Sequence, residues 1–557
     1  MSEAESPQAR QDAPTPFSIP IFRTIWTASL ASNFGGMIQS VGAAWMMTSL
    51  SASSQLVALV PAMTTLPILL LSLWAGAVAD NLDRRKIMLS CQLAMLILSA
   101  TLAAFAWAGL LTPLSLLGFT FLIGCATAIN SPAWGALVGD MVPRSMLSSA
   151  VAYNSVGFNL ARSVGPALGG VIVAVAGAAA AFVTNAMSYI ALVTVLARWK
   201  PDSPPRILPR ERLSDAMRAG VRYVAMSPKI QLVLVRGFAF GTASAAATAV
   251  MPLVARDLLH GGALVFGVLS GAFGVGAVGG AVATRRLRGR FQSEAIVRGA
   301  ALGHAAGMAV IALSPWLALD IVAYMLAGAG WVLALSTFNV SIQMAAPRWV
   351  VARALAFYQM LTFGGMAGGA WLAGLIAQDH GVAMALGIAT FAQLGTVMIG
   401  FLWRVPPMGE DNLDLLGRWQ EPETAIPVDP LSGPVVVTIQ YRIAAGSVMP
   451  FLTAMSERRR IRRRDGAHGW SLLRDLGDPE VWIERYHVST WLDYVRHNQR
   501  RTVADADNSQ AIQQLHIGPD APVVHRMLER QTGSLPIGRG LDARAVGEAM
   551  TDPSGSG

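Results

Sequence analysis

"GDMVPRSMLSSAVAY" at residues 139–153 has a second copy in this chain, "QMAAPRWVVARALAF" at residues 343–357. The shift of 204 residues places the Pro-Arg pair at 143–144 on the Pro-Arg pair at 347–348. The same shift aligns glycines and basic residues in other loops and helices. One register that joins separate parts of the chain predicts two similar halves in parallel repeat.

The composition indicates that these halves lie in a membrane. Of the 557 residues, 53% are hydrophobic and 13% are charged, whereas a soluble domain carries about 25% charged residues. A chain of this length and polarity excludes a single globular core and predicts a polytopic membrane protein. The net charge of +9 fits Lys and Arg held on the cytoplasmic side, so we predict no nucleic-acid partner. The two cysteines imply no disulfide framework.

Twelve apolar runs are each long enough to cross a bilayer, which takes roughly 20 residues. They lie at 22–50, 55–79, 87–108, 113–139, 147–176, 180–198, 230–255, 262–284, 295–313, 317–342, 353–377 and 381–403. The predicted fold is therefore an all-α polytopic membrane protein with twelve transmembrane helices in two six-helix repeats. Lys and Arg follow the even-numbered runs, which predicts that both termini are cytoplasmic, in the bacterial inner membrane.

The remaining segments are polar. From about residue 434 the chain alternates like a soluble domain, and its pattern predicts the order β-α-β-β-α-β of a ferredoxin-like α+β fold. The predicted boundaries are a disordered tail at 1–20, an N-terminal half at 21–198, a linker at 199–229, a C-terminal half at 230–404, a second linker at 405–433, the α+β domain at 434–531 and a disordered tail at 532–557.

Arg162 is the exceptional residue of the fifth run. It lies about 15 residues from the cytoplasmic start of its helix, which is about 22 Å at 1.5 Å per residue. A charge at that depth predicts a substrate or gating role, although contact with backbone carbonyls is an alternative. Arg236 is shallower and could instead reach the membrane surface. The candidate substrate-binding residues are Arg162, Asn159, Asn154, Asn130, Arg236 and Gln359.

Proton coupling requires a titratable group within the helices. No Asp or Glu falls in the middle of a predicted span, and His304 is the one midspan group that titrates near neutral pH. The candidate coupling residues are His304 and Asp140; Asp140 lies at a cytoplasmic helix end, so its role requires that it lie deeper in the membrane than the predicted span places it. Coupling through the substrate itself is a further alternative.

"GAVADNLDRRK" at residues 76–86 resembles the Gly-x-x-x-Asp-x-x-x-Arg-Arg-Lys/Arg loop of the major facilitator superfamily, with Asn81 and Asp83 in place of the usual Arg and Gly. The resemblance implies a latch between the two halves; the alternative is a topology signal alone. Thr284 takes the place of the acid in the second copy, so the latch would be one-sided. The latch candidates are Gly76, Asp80, Asp83, Arg84, Arg85 and Lys86.

"ARSVGPALGG" at residues 161–170 resembles the Gly-Pro-x-x-Gly-Gly motif in the fifth span of proton-coupled exporters of this superfamily, with Ala161 at a position that is usually Gly. The motif residues are Gly165, Pro166, Gly169 and Gly170. The resemblance implies export rather than uptake, with the proton as coupling ion.

The stretch at residues 130–170 resembles the enterobactin-exporter branch, also described as transmembrane secretion effectors. This resemblance implies alternating-access export of a siderophore-like or drug-like small molecule, without cofactor or metal. Arg162 favours an anionic substrate. A channel or receptor is a rival class that the repeat and the loop motif argue against.

The stretch at residues 462–502 resembles the dimeric α+β barrel shared with antibiotic-biosynthesis monooxygenases. The resemblance implies homodimerisation through this domain. Catalysis by the domain, or regulation of a non-exporting transporter, are the alternatives. A small pocket is expected to be lined by His468, His487, His497, Trp470 and Tyr486.

Overall fold

The computed structural model describes residues 15–51, 53–81, 83–143, 146–199, 213–347, 349–405 and 421–529. The chain divides into two compact units, Met1–Asp414 and Leu415–Gly557, and the division falls inside the predicted second linker. The helices of the first unit are α1 (Pro20–Leu50), α2 (Ser54–Asn81), α3 (Arg84–Trp107), α4 (Pro113–Met141), α5 (Leu147–Arg198), α6 (Leu213–Ala225), α7 (Pro228–Ala249), the short turn α8 (Met251–Leu253), α9 (Ala263–Arg288), α10 (Ser293–Leu313), α11 (Leu317–Ala345), α12 (Val351–His380) and α13 (Val382–Leu402).

Within the described residues, ten helices are long and apolar enough to cross a membrane. The helix α5 counts once among them, although non-helical backbone at Gly177 divides it into two arms. α1 adds a further helix of 31 residues. The two arms of α5 make eleven spans; α1 lies where the first of the twelve spans was predicted, but it is less apolar than these helices.

Gly177 reverses the direction of the chain. Its φ of 79° lies in the left-handed region that favours glycine. Before this point Gly165 lies against Met37 and Gly169 against Ile38, so the first arm runs parallel to α1. After it the order inverts, because Gly42 meets Ala181 while Gly35, earlier on α1, meets Ser188. The two arms are therefore successive antiparallel spans.

The two halves of this unit each bury their own apolar side chains and meet along two seams. In the first half, α1 packs against both arms of α5, and α3 and α4 complete the group. In the second half, α11 packs between α9 and α10, while α12 packs against α7 and α13. The seams between the halves are formed by α2 with α12 and by the first arm of α5 with α9. We refer to the ends of these helices as the Asp83 end, where α2 ends and α3 begins, and the Ser51 end, where α1 ends.

The second unit has a four-stranded antiparallel sheet in the order β2-β3-β1-β4. Its elements are β1 (Val435–Arg442), α14 (Val448–Arg464), β2 (His468–Arg474), β3 (Val481–Val488), α15 (Trp491–Gln499), α16 (Val503–Gln514) and β4 (Val523–Leu528). The strands and their order agree with the ferredoxin-like pattern, but the sequence pattern missed α16. That helix has a weakly amphipathic, mostly polar sequence, and it begins at a capping box formed by Thr502 and Asp505.

The sheet has one covered face and one open face. Alternate residues of β1, from Val435 to Tyr441, are buried in a core with Phe451 of α14. The opposite face is more exposed at its edge: Val523 and Met527 of β4 are 50% and 47% exposed. The sheet thus leaves apolar side chains uncovered within this unit.

Candidate functional site

Two adjoining cavities lie in the first half, with volumes of about 500 Å³ and about 470 Å³. The larger cavity reaches Thr248, Pro252 and Phe266, so the second half closes part of its wall. The smaller cavity extends towards the Asp83 end, where Trp26 and Trp134 line it. Both cavities are lined by Ser32, Asn33, Gln92, Thr127, Asn130 and Phe158. The shared walls make them one candidate site that includes the interface of the two halves.

The lining residues that the structure describes include many polar side chains and no charged ones. Among the described residues, neither cavity is lined by Asp, Glu, Lys, Arg or His. Side-chain amides are the characteristic group instead. They belong to Asn33, Gln39, Gln92, Asn130, Asn154, Asn159 and Asn185. An amide offers two N–H donors and a carbonyl acceptor, so the site can exchange hydrogen bonds in both directions.

One part of the wall is held by a buried hydrogen-bond network. The Asn185 Nδ2 donates to Gln39 Oε1 at 2.6 Å, and the Ser99 hydroxyl donates to the same oxygen at 2.8 Å. The Asn185 Nδ2 also lies 3.3 Å from the Tyr189 hydroxyl. Asn185 and Ser99 are completely buried. The network joins α1, α3 and the second arm of α5, and satisfied polar groups of this kind make a wall rigid.

In another part of the wall, two buried amide oxygens have no hydrogen-bond partner. Gln92 is 3% exposed, and its Oε1 has no hydrogen-bond partner. The Oδ1 of Asn130 is also buried without a partner. A buried carbonyl oxygen without a donor costs about 1–3 kcal/mol. Both oxygens are also closed to solvent, so their unmet hydrogen bonds are a cost of this conformation.

Three of the six predicted substrate-binding residues meet at this site. Asn130, Asn154 and Asn159 all line the smaller cavity. Gln359 is exposed on α12 and lines neither cavity. Gln92 was not predicted, because a single glutamine in an apolar helix is more often a helix–helix contact. Its spacing gives no signal that would separate these two roles.

Arg162 lies over aromatic rings of the other half. Its guanidinium carbon is 4.2 Å from the ring centre of Trp331 on α11 and 5.9 Å from that of Phe273 on α9. The two rings lie 6.1 Å apart. Such geometry is a cation–π contact. Arg162, which lines neither cavity, is therefore a contact between the halves.

Arg236 lies in a different environment. It is 2% exposed, and its Nη2 pairs with Glu294 Oε1 at 3.2 Å. The other Glu294 oxygen accepts the backbone N–H of Val405 at 2.8 Å, and Arg236 contacts the carbonyl of Trp403 at 3.3 Å. This buried ion pair ties the end of α13 to α7 and α10, within the second half.

The structure describes the contacts of some of the predicted latch residues. Asp83 caps α3, because its side chain accepts from the backbone N–H groups of Arg85 and Lys86. Arg85 also donates to the carbonyls of Leu196 and Ala197 at 2.7 and 2.8 Å. All these contacts lie within the first half. Arg84 is half-buried at the start of α3, whereas the surroundings of Gly76 and the side chain of Asp80 lie outside what the structure describes.

The glycine motif of α5 brings three helices close together. A β-carbon at Gly165 would lie 2.6 Å from the Met37 Cβ of α1. A β-carbon at Gly170 would lie 2.7 Å from the Gly267 Cα of α9. Next to this contact, the Ser163 hydroxyl donates to the Gly274 carbonyl at 3.2 Å. Small residues therefore allow α5 to join the two halves by backbone approach.

The proposed coupling residues are not part of the cavity lining. His304 is fully buried, its Nδ1 lies 2.8 Å from the Ala327 carbonyl, and its ring faces Phe240. The side chain of Asp140 lies outside the described residues. The structure adds one buried acid: Asp320, in the first turn of α11, is fully buried one turn before the fully buried Tyr324.

The second unit has a charged interior. Glu484 is fully buried, and it accepts from Arg462 at 3.1 Å, from the Tyr441 hydroxyl at 3.0 Å and from Trp470 at 3.1 Å. Burial opposes its ionisation, but Arg462 and Arg458 outweigh burial and hold the pKa of Glu484 below its usual range.

The predicted pocket of this unit is not assembled. Tyr486 and His497 lie in the interior, where Arg462 stacks at 4.4 Å on Tyr486 and contacts His497 Nε2 at 2.8 Å. His468 and His487 instead pair with each other across β2 and β3, with ring centres 5.9 Å apart. The described residues contain no group of three His, Cys, Asp or Glu that could hold a metal ion.

Comparison with known proteins identifies the family. The model of the family described as transmembrane secretion effector matches residues 12–532. The Staphyloferrin A transporter of Staphylococcus aureus (strain NCTC 8325 / PS 47) is 25% identical over 266 residues, which cover 46% of this chain and 64% of that relative. The match thus spans less than two thirds of the relative's length.

Solved structures support the fold. A bacterial homologue of the human lysosomal transporter Spinster, in an inward-facing and unoccupied conformation, gives a TM-score of 0.54 at 13% identity, over 70% of this chain and 96% of that chain. The nucleoside transporter NupG gives 0.51 at 12% identity, over 69% of this chain and 98% of that chain. At these identities the likeness concerns the fold alone. With the family match, it shows that this chain belongs to the transmembrane secretion effector family of multi-pass transporters with the major facilitator fold.

Proposed function

We propose that this protein is a proton-coupled exporter of a siderophore-like or drug-like small molecule and that it works by alternating access. The observation that supports this proposal best is the amide-lined cavity, which includes the interface of the two halves near the middle of the helices. Transporters built from two repeats bind substrate in this position. Asn130, Asn154 and Asn159 are the predicted binding residues that line it.

The contacts between the halves support an inward-facing state. Near the Ser51 end, the Ser54 N–H donates to Gln378 Oε1 at 2.7 Å, and Arg256 Nη1 lies 3.4 Å from the Thr48 carbonyl. Trp45 and Phe266 stack in the same region at 6.4 Å. Lys and Arg concentrate in loops at the Asp83 end, which assigns that end to the cytoplasm. We therefore infer cytoplasmic termini, the bacterial inner membrane and a site that receives substrate from inside.

Export is tested in intact cells with a panel of compounds. The panel contains staphyloferrin A, which the name of the similar Staphylococcus aureus transporter mentions, and cationic dyes such as ethidium. The expected result is faster efflux of at least one compound from cells that express the chain than from cells with an empty vector. Equal efflux of every compound would disprove the export proposal. The panel also tests the predicted anionic preference, because it contains both charge types.

Proton coupling is tested separately with a pH jump in inverted vesicles. Accumulation of the exported compound should follow an imposed gradient that is acidic inside, and it should stop when an ionophore removes the gradient. His304 and Asp140 stay the predicted coupling residues, and the buried Asp320 is a third candidate. Accumulation that ignores the gradient would contradict antiport.

For the second unit we propose a dimerising role at residues 434–531, without catalysis. The open face of its sheet, with exposed Val523 and Met527, supports self-association. Crosslinking of the full chain in membranes should give a dimer that the substitution Met527→Glu weakens. Turnover of quinol-type substrates by the purified full chain would instead favour the monooxygenase-like alternative.

A further inference from the structure

Arg286 and Arg290 form an exposed pair of cations at one end of α9. Arg286 lies in the last turn of the helix, and Arg290 lies in the turn that follows, where its backbone N–H donates to the Leu287 carbonyl at 3.0 Å. Arg288, between them, instead reaches α11 and donates to the Ser336 carbonyl at 2.9 Å. The basic run that ends α9 therefore divides into one inward arginine and an outward pair.

The pair lies on the face of α9 that is turned towards lipid. On this face Val275 and Val282 are 49% and 66% exposed. On the opposite face Phe273 and Ala277 are buried, and the Phe273 ring contacts α11. Exposed apolar side chains on a membrane-spanning helix contact lipid tails, which are as apolar as they are. The outward arginines thus continue a lipid-facing stripe.

The pair also lies at the level of the lipid head groups. α9 begins at Ala263, so Arg286 lies 23 positions along it, which is about 35 Å at 1.5 Å per residue. The hydrocarbon core of a bilayer is about 30 Å thick. α9 runs antiparallel to the first arm of α5, so its last turn lies at the Asp83 end. The two guanidinium groups can therefore reach the phosphate layer of the membrane at that end.

Two open grooves on the surface flank the pair. They have volumes of about 370 Å³ and about 660 Å³, and Val282, Arg286 and Arg290 line both. The first groove is also lined by Leu287 and by Phe291, which is 55% exposed. No acidic side chain lines either groove in the part of the chain that the structure describes. Because like charges one helical turn apart repel each other, an anion that bridges the two arginines would be favoured.

We propose that Arg286 and Arg290 bind the phosphate head group of an anionic phospholipid whose acyl chains lie along Val282 and Phe291. A guanidinium suits this ligand because it donates paired hydrogen bonds to phosphate oxygens. Basic pockets at the ends of membrane helices bind head groups of this kind. The apolar groove walls favour a lipid over a free phosphate. The inference goes beyond the proposed function, because it concerns the lipid-facing surface and does not depend on what the cavity binds.

Native mass spectrometry of the purified full chain in a neutral detergent measures how tightly the first lipid binds. The probes are dioleoyl phosphatidylglycerol, which is anionic, and dioleoyl phosphatidylcholine, which has the same acyl chains and no net charge. The wild type should bind phosphatidylglycerol about tenfold more tightly than phosphatidylcholine. Arg286→Gln with Arg290→Gln should remove this difference, whereas Arg286→Lys with Arg290→Lys should keep most of it, because lysine also binds phosphate as a point charge.

Arg23→Gln with Arg198→Gln is the matched control. Both residues are exposed at the Asp83 end, Arg23 in the first turn of α1 and Arg198 in the last turn of α5. The control variant loses the same amount of charge, and neither residue lines either groove. Its affinity for phosphatidylglycerol should stay within about twofold of the wild-type value, because distant surface charges are screened.

Equal affinity of the wild type for the two lipids would overturn the proposal, as would equal losses in the Arg286–Arg290 variant and in its control. Displacement of the lipid by inorganic phosphate or glycerol phosphate, which have no acyl chains, would assign the arginines to a free anion and overturn the lipid assignment. Loss of a bound second copy of the chain, rather than of a lipid, in the Arg286–Arg290 variant would overturn it in favour of a protein contact.

Discussion

Arg162 shows how a single charge is accommodated within an apolar helix. The guanidinium lies over Trp331 at 4.2 Å instead of facing an acidic partner. A planar, weakly hydrated cation suits an aromatic face, and a desolvated contact of this kind contributes about 2 kcal/mol. The repeat places Met366 at the equivalent position of the second half, so the charge has no symmetric counterpart. A contact that one half makes with the other must break when the halves separate.

We predict that Arg162→Ala and Trp331→Leu have coupled effects on transport. Each substitution removes the same contact between the halves, so the double variant should be no more impaired than the worse single variant. Efflux rates in a double-mutant cycle measure this coupling, which we expect to be about 1–2 kcal/mol. Arg298 and Phe401 make a similar contact at 4.5 Å within the second half. Arg298→Gln is therefore the control, and additive losses for Arg162 and Trp331 would contradict the prediction.

His497 gives the second unit a defined response to pH. Burial, and then the charge of Arg462, hold the pKa of His497 well below its usual value. The unfolded chain therefore binds this proton more readily than the folded chain once the pH falls below about 6.5. Between pH 7.5 and pH 5.5 the folded unit should lose about 1.4 kcal/mol of stability.

Hydrogen exchange of β3 amides in the full chain, corrected for intrinsic rates, measures this loss. His497→Gln keeps an acceptor for Arg462 and should remove the change. Glu484 contributes in a lower window, because its depressed pKa provides stability that is present above about pH 4.3 and is lost below it. A wild-type unit that is equally protected at both pH values would contradict the prediction for His497.

At the scale of elements, α5 decides how the halves meet. Its glycines allow backbone contact with α1 on one side and with α9 on the other. Arg162 and Ser163 lie on the same arm and add polar contacts to α9 and α11. The first arm of α5 is thus a shared wall of both halves rather than a member of one bundle.

We predict that Gly267→Ala impairs transport while Gly279→Ala on the same helix does not. A β-carbon at Gly267 would lie 2.6 Å from the Gly170 Cα, so α9 would be pushed away from α5 at a cost of about 1–3 kcal/mol. A β-carbon at Gly279 meets no atom within 4 Å. Efflux rates and the thermal stability of the purified variants measure the difference. Equal behaviour of the two variants would refute the close-contact argument.

At the scale of the whole transport unit, the described contacts close the Ser51 end. We predict that Ala58→Cys with Gly374→Cys forms a reversible lock in a chain whose Cys91 and Cys125 are replaced by Ala. A β-carbon at Gly374 would lie 2.7 Å from the Ala58 Cβ, and a disulfide requires about 3.5–4.5 Å, so a small shift is sufficient.

Oxidation of the double variant should abolish efflux, and reduction should restore it. Each single variant should transport at the same rate in both redox conditions. Efflux that continues after complete crosslinking would show that α2 and α12 do not separate during transport, and it would contradict alternating access at this seam.

Much of the architecture was predictable because it follows from local or periodic properties. Apolar runs predicted the spans, the shift of 204 residues predicted the two halves, and the polarity pattern predicted the four strands of the second unit. The exception was α16, whose mostly polar sequence carries little periodic signal. Prediction of individual polar groups was less complete: three asparagines line the cavity, but Gln92 was missed.

The sequence by itself determined the membrane class, the twofold repeat and the order of elements. Hydropathy and periodicity are properties of neighbouring residues, and the repeat is a similarity between two stretches of the chain. Only the tertiary structure decided which polar groups meet. Gln39 and Asn185 are 146 positions apart, and Arg162 and Trp331 belong to different halves, so no local pattern joins them. In an apolar interior each polar side chain depends on a partner from another helix. The tertiary structure therefore made Arg162 a contact between halves and Arg236 part of an ion pair, and it left the Oε1 of Gln92 without a partner.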